Sequence, residues 1–296
     1  MRLTNEQREQ VITLRRKHSL SEVASLAGLP LGTVKAIVSR SGLFTDNQRH
    51  RAMFTLPPLQ SSGETLPAVP ELPRQEVVTG DREIDSMLWL RQVIGTGDPV
   101  RIAQAKEAAG RITTPPGELE QRYSKWLVAK AGHMLAGLGS IGFANLDGLA
   151  ERAITRRANE AEAIGRFGGA LWDDTQAEAF CQEVLRGLER DSWQLPPEQV
   201  AGRFKAVPEL MPHTLSDCLH ELAYWNELYR LRNACDTQGY YENSIEAHAR
   251  DWFVFGLLAE LRPRNREEAR ATLRYLMGSE RDDAPEAERI LDNLIG

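Results

Sequence analysis

The stretch Leu20-Ser-Glu-Val-Ala-Ser-Leu-Ala-Gly-Leu-Pro-Leu-Gly-Thr-Val-Lys-Ala-Ile-Val-Ser-Arg40 carries its apolar residues at helical spacing in two short runs. Val23, Leu26 and Ala27 belong to the first run, and Val34, Ile37 and Val38 to the second. Gly28 falls between them, where the chain must reverse and a residue free to take positive φ belongs. Ala24 is small where two packed helices would come closest, and Leu29 is placed to plug the corner between them. Ser19 and Glu22 have the spacing of a capping box, which satisfies exposed amides at a helix start. The pattern predicts two short helices joined by a tight turn, and each is amphipathic.

Two helices joined in this way form a helix-turn-helix, a unit that presents its second helix to a DNA groove. Gly28-Leu-Pro-Leu-Gly-Thr-Val-Lys35, followed by Ser39-Arg40, resembles the promoter-reading helix-turn-helix of bacterial sigma factors and, more loosely, that of response-regulator DNA-binding domains. The resemblance covers residues 20–40 only. It implies a groove-facing role for Thr33, Lys35, Ser39 and Arg40. In sigma factors this module closes the chain behind a polymerase-binding domain, whereas here it opens it, so the DNA-reading role is expected without the sigma activity. Thr33 suits a thymine methyl or a base-edge acceptor, Lys35 and Ser39 a base edge or phosphate, and Arg40 a guanine or the backbone. Arg15, Arg16, Lys17 and Ser21 are the expected phosphate contacts, which fix register without reading sequence.

Working outward, Thr4 and Gln7 form a second capping box, and Val11 and Leu14 give the helix behind it a buried stripe. Three helices then make a trihelical domain over residues 1–44. Residues 1–51 hold nine Lys/Arg against four Asp/Glu, although the whole chain of 296 residues carries a net charge of −6. A basic module on an acidic body is compatible with a nucleic-acid partner, and the body itself should repel DNA. Five prolines (Pro57, Pro58, Pro67, Pro70, Pro73) and Ser61-Ser-Gly63 mark residues 45–80 as a flexible linker, within which Phe54 and Leu56 can pack on a folded part.

From residue 81 to 296 the periodicity predicts a multi-helix domain, with helices at 82–95, 99–112, 117–136, 145–166, 175–190, 197–205, 214–234, 241–261, 265–278 and 284–295. Asp98-Pro99, Pro115-Pro116 and Pro196-Pro197 stand where helices start. The expected class is therefore all-α, and the 241–261 helix, apolar from Trp252 to Leu258, is expected to be central. No run approaches the roughly 18 apolar residues that span a bilayer, and no signal-peptide core stands at the N-terminus, so no membrane role and a cytoplasmic location are expected. Cys181, Cys218 and Cys235 are an odd number without paired ligand spacing, as suits a reducing compartment.

Motifs of chemistry are weak. Gly137-Leu-Gly139-Ser-Ile-Gly142 matches a dinucleotide fingerprint, but a helical pattern precedes it, and close helix packing explains its small residues better. Cys218, His220, Cys235 and His248 lack the spacing of a zinc site, and the acidic residues Glu178, Asp217, Glu221 and Glu242 are scattered enough to read as solvated helix faces. Arg156-Arg157 and the group Arg262, Arg264 and Arg266 read as charged exterior. No catalytic residue, metal or cofactor is expected. The reading is a sequence-specific DNA-binding transcriptional regulator, not an enzyme. Its partner is double-stranded DNA, and the helical domain serves a homodimer, a higher homo-oligomer or a protein partner. The alternative is a DNA-anchored accessory of phage or plasmid replication, packaging or recombination.

Overall fold

The computed structural model describes residues 4–15, 18–42, 44–60, 70–190, 194–239 and 241–295. Among them the regular elements are all helices, and no single helix is long and apolar enough to cross a membrane. The chain forms two compact units, the first from Met1–Pro57, Trp172–Arg230 and Tyr240–Gly296, the second from Pro58–Leu171 and Leu231–Gly239. This partition differs from a 1–44 reader, a 45–80 linker and an 81–296 body, because the long C-terminal region contributes to both units.

In the first unit, α1 (Asn5–Arg15), α2 (Leu20–Ala27) and α3 (Leu31–Ser41) share a core of Val11, Val23 and Val34, all fully buried. Leu14, Leu20, Ala24, Ala27, Leu29, Ile37 and Val38 pack around it. Leu26 does not join them. It is 56% exposed on the outer side of α2, so the expected apolar set is narrower by one residue.

A further short helix, α4 (Gln48–Met53), lies inside the stretch expected to be linker. Asn47 caps it, and Asn47, His50 and Phe54 are buried. The expectation of a spacer fails over 45–57 because polar and aromatic side chains, invisible to a proline-and-serine reading, anchor this segment. Residues 61–69 lie outside the described ones.

The rest of the first unit contains α9 (Gln176–Leu185), α10 (Pro197–Lys205), α11 (Leu215–Cys235) as far as Arg230, α12 (Ile245–Leu257), α13 (Arg266–Gly278) and α14 (Pro285–Ile295). Leu215, Cys218 and Leu222 of α11 form a core with Val254, Phe255 and Leu258 from the α12 side, closed by Leu276 and Ile290. The more deeply buried helix is α11, with Leu215, Asp217, Cys218, Glu221, Leu222, Trp225 and Leu228 all sealed from solvent. A helix buried on several faces loses its one-sided pattern, which is why α12 looked more central in sequence.

The second unit takes α5 (Arg82–Gly95), α6 (Pro99–Ala109), α7 (Pro116–Ala131) and α8 (Leu146–Phe167). Asp81 and Asp98 cap α5 and α6, and proline opens α6 and α7 as expected. Leu90, Ile94, Ile102 and Ala150 form one core, and Ile84, Met87, Leu119 and Phe143 another. The helix expected to reach residue 136 stops at Ala131, because Gly132 takes φ +73 and a 3₁₀ turn, Met134–Ser140, follows. Within this unit the flanks of the expected linker are held too: Gln60 donates its amide to the Gly165 carbonyl at 2.8 Å, and Trp89 Nε1 to that of Pro73 at 2.8 Å.

Candidate nucleic-acid interface

Ser19 and Glu22 form the capping box that starts α2, with Ser19 N donating to Glu22 Oε2 at 2.7 Å. Hydrogen bonding to Ser19, first its backbone and then its side chain, draws Glu22 below the ordinary carboxylate value. Gly28 ends α2 at φ +61, and its N–H reaches back to the Ala24 and Ser25 carbonyls. A residue with a Cβ is strained in that left-handed region, so the glycine sets where the chain can turn. Leu29 N bonds Ala24 O at 3.0 Å, and α3 leaves at 112° to α2.

The face that α3 turns away from Val34, Ile37 and Val38 carries Gly32, Lys35 and Ser39, with Arg40 beside them. All four are exposed, while Thr33 is half-buried at the edge. Ser21 is exposed at the start of α2. Lys35, Ser39, Arg40 and Ser21 thus stand in solvent, available to a ligand. Arg15 does not stand with them. It is partly buried, donates from Nη1 to the His18 carbonyl at 2.9 Å and lies over the Phe44 ring at 5.4 Å. It closes α1 rather than reaching outward. Arg16 and Lys17 lie outside the described residues. Arg8 on α1 and Arg49 on α4 are further exposed basic residues of this unit.

The first unit also encloses a polar core. Asp217 is fully buried and accepts from Arg51 Nε at 2.7 Å, Asn47 N at 2.9 Å and His213 N at 3.1 Å. Burial works to raise its pKa, but the Arg51 hydrogen bond, the two amides and nearby His50 together hold it below the ordinary value. One turn on, Glu221 takes Arg250 in a two-pronged pair, Nε to Oε1 at 2.6 Å and Nη2 to Oε2 at 2.8 Å. His50 Nε2 lies 2.6 Å from Glu221 Oε2 and, facing a carboxylate, is the nitrogen that carries the proton. Trp225 Nε1 adds a bond to Glu221 Oε1 at 3.3 Å.

His50, Glu221 and Arg250 are all fully buried, and the Arg250 guanidinium is ringed by Phe54, Phe180, Phe204 and Phe253. Burial again opposes the charge on Glu221, and Arg250 first, then His50, outweighs it. Glu178 is buried as well, as the capping-box partner of Thr175 on α9. Reading Glu178, Asp217 and Glu221 as solvated faces is therefore corrected: each is enclosed because a specific donor meets it. Glu242 is exposed but stands ahead of α12, not on a helix face.

Arg264 pairs with Asp46 at 2.8 Å and Glu268 at 3.0 Å, while Arg262 and Arg266 are exposed. Cys181 and Cys218 are buried thiols whose pKa burial raises, and Cys235 lies in the second unit. His220 lies 3.2 Å from the Arg51 carbonyl. Among the described residues no three His, Cys, Asp or Glu gather to hold a metal ion. The glycines of the dinucleotide-like motif fall in and just after the 3₁₀ turn, with no strand before them. A Cβ on Gly137 would lie 2.7 Å from Ser124 Oγ of α7, so close packing accounts for that glycine. Comparison of the chain with protein-family models, with curated proteins and with solved structures gives no match.

Proposed function

We propose that α2, its turn and α3 form a helix-turn-helix that reads duplex DNA, and that the chain is a sequence-specific DNA-binding regulator of transcription. The observation that carries this reading is the outer face of α3, where Lys35, Ser39 and Arg40 stand exposed on a helix set at 112° to its predecessor. Two helices at about 90–120° are the geometry that lets the second enter the major groove. The basic excess of residues 1–51 supports the same surface. Arg40 and Lys35 serve as the base-edge and phosphate donors, Ser39 and Thr33 as shorter contacts, and Ser21 as a phosphate contact from α2. Arg8 is better placed than Arg15 for a phosphate.

One such module makes few contacts, so it binds weakly alone and loses affinity steeply with salt. A homodimer of the chain would place two modules on half-sites about 34 Å apart. The decisive experiment selects bound sequences from a random duplex pool with the full chain, then compares wild type with Lys35→Ala/Arg40→Ala. The reading expects a selected palindrome and a salt slope shallower by about two in the variant. Equal affinity of the variant for the selected site overturns the groove helix. Selection of direct repeats with no palindrome points instead to an accessory of replication or packaging.

A further inference from the structure

The 3₁₀ turn Met134–Ser140 of the second unit packs its small residues and leaves its large ones outside. A Cβ on Gly137 would meet Ser124 Oγ at 2.7 Å and Val128 at 3.2 Å, and one on Gly139 would meet Leu127 at 3.5 Å, so the turn lies close on α7. Ser140 is buried as well and donates to the Gly137 carbonyl at 2.8 Å. Residues three apart line up in a 3₁₀ turn, so Leu135, Leu138 and Ile141 form one stripe. Met134 stands beside it, and all four are between 61% and 86% exposed. Single exposed apolar residues are ordinary, but four large ones between positions 134 and 141 mark a surface that something covers.

Charge decides what can cover it. From Gln121 to Leu146 the chain has Arg122, Lys125 and Lys130 and no aspartate or glutamate. Asp81 and Glu83 hold Arg122. Lys125 and Lys130 are exposed, neither pairs with a carboxylate among the described residues, and Lys130 rests over the Trp126 ring at 4.6 Å. The α7 carboxylates stand behind them: Glu118 lies about 10 Å back along the helix from Lys125, and half-buried Glu120 takes the Ala144 amide at 3.2 Å. Leucine and isoleucine beside tryptophan and unpaired lysine suit the boundary between headgroups and acyl chains of an anionic bilayer. A twofold contact with a second copy would instead bring both pairs of lysines to one seam with no acid between them. Contact with a bilayer surface needs no spanning helix, and no single helix here is long and apolar enough to be one.

We propose that this ridge seats the second unit on an anionic lipid bilayer, with Leu135, Leu138 and Ile141 among the upper acyl chains and Lys125 and Lys130 on the headgroups. Flotation of the full chain with vesicles tests it, comparing phosphatidylcholine alone with phosphatidylcholine containing about one-third phosphatidylglycerol. Two lysines near the surface should make binding to the mixed vesicles about thirtyfold tighter, and the difference should shrink as salt rises. Lys125→Ala/Lys130→Ala should erase most of that difference. Leu135→Ser/Leu138→Ser, at exposed positions, should abolish flotation with either vesicle and leave the melting curve unchanged. Lys35→Ala/Arg40→Ala should float as the wild type does, because the basic residues of α3 take no part. Failure of the wild type to float with the mixed vesicles would overturn the proposal. So would flotation that survives Leu135→Ser/Leu138→Ser or disappears in Lys35→Ala/Arg40→Ala. A wild-type dimer in sedimentation that Leu135→Ser/Leu138→Ser splits, without flotation of either, would assign the ridge to a second copy and overturn the lipid contact.

Discussion

Two parts of the first unit are held together in opposite ways. The α1–α3 trio closes on three valines and a ring of small apolar side chains, all within about 40 residues of one another, and keeps its polar groups outside. The α4–α11–α12 region closes on charge: His50, Glu221 and Arg250, separated by up to 200 positions in sequence, are fully buried together. Trimming a local apolar core costs in proportion to the methylenes lost, whereas removing one partner of a buried ion pair costs more, because it leaves the other charged in a dry site. The contrast teaches that the segment after the trio is fixed to the body by chemistry, since Asn47, His50 and Arg51 supply donors that the carboxylates of α11 require.

The largest expected effect is therefore at Glu221. Glu221→Gln keeps the shape but leaves Arg250 without its counter-charge, and should cost about 3–5 kcal/mol in urea unfolding. A loss below about 1 kcal/mol would show that the aromatic ring around Arg250, not the pair, holds the region. The pH dependence follows from the same groups. Asp217 and Glu221 are held below the ordinary carboxylate value in the folded chain. Their contribution is complete above the unfolded pKa of about 4 and is lost as pH falls through the folded value. Stability should drop steeply below about pH 4 in the wild type and less steeply in Glu221→Gln, as urea midpoints measured across an acid series would show. Asp251 works the other way: burial raises its pKa against the attraction of Arg281, so its contribution declines as pH rises through that raised value.

This contrast also explains what the sequence disclosed. The trio was legible because its signals are local: Ser19 with Glu22, Gly28 at the turn, and valines at helical spacing. The capped starts at Asp98, Pro115 and Pro196 were legible for the same reason. The charged core was not, since Glu221 on a helix has the same local pattern whether it faces water or Arg250. Nothing near Asp217 in the chain announces that Asn47 and Arg51 will meet it. His50 and Arg51 read as part of a basic, proline-rich spacer, when the useful signal was Phe54 and Leu56 beside them. On the interface, exposure of Lys35, Ser39 and Arg40 follows from the helical period, while the inward turn of Arg15 depends on Phe44, beyond the reach of that period.

A middle-sized effect belongs to the apolar trio. Val23→Ala removes two methyl groups from a fully buried site and should cost about 2 kcal/mol, less than Glu221→Gln. Because the valine touches no charge, the loss should not change with pH between about 3 and 7. Chemical denaturation at the two ends of that range checks it, and a pH-dependent loss would mean that the two cores unfold as one coupled network.

The smallest effects separate the two regions by their glycines. Gly28 sits at φ +61, so Gly28→Ala forces a Cβ into the left-handed region and should lower stability by about 1 kcal/mol, although nothing stands within 4 Å of the added atom. Gly256 lies in α12 without a positive φ and with the same open space, so Gly256→Ala should raise stability by about 0.5–1 kcal/mol. The two variants add the same methyl group to equally empty surroundings, which leaves the backbone as the only difference between them. Melting temperatures should therefore move in opposite directions. If Gly28→Ala proves neutral, the turn between α2 and α3 can take a conformation other than the left-handed one, and the 112° setting of α3 is less firmly fixed than the charged core behind it.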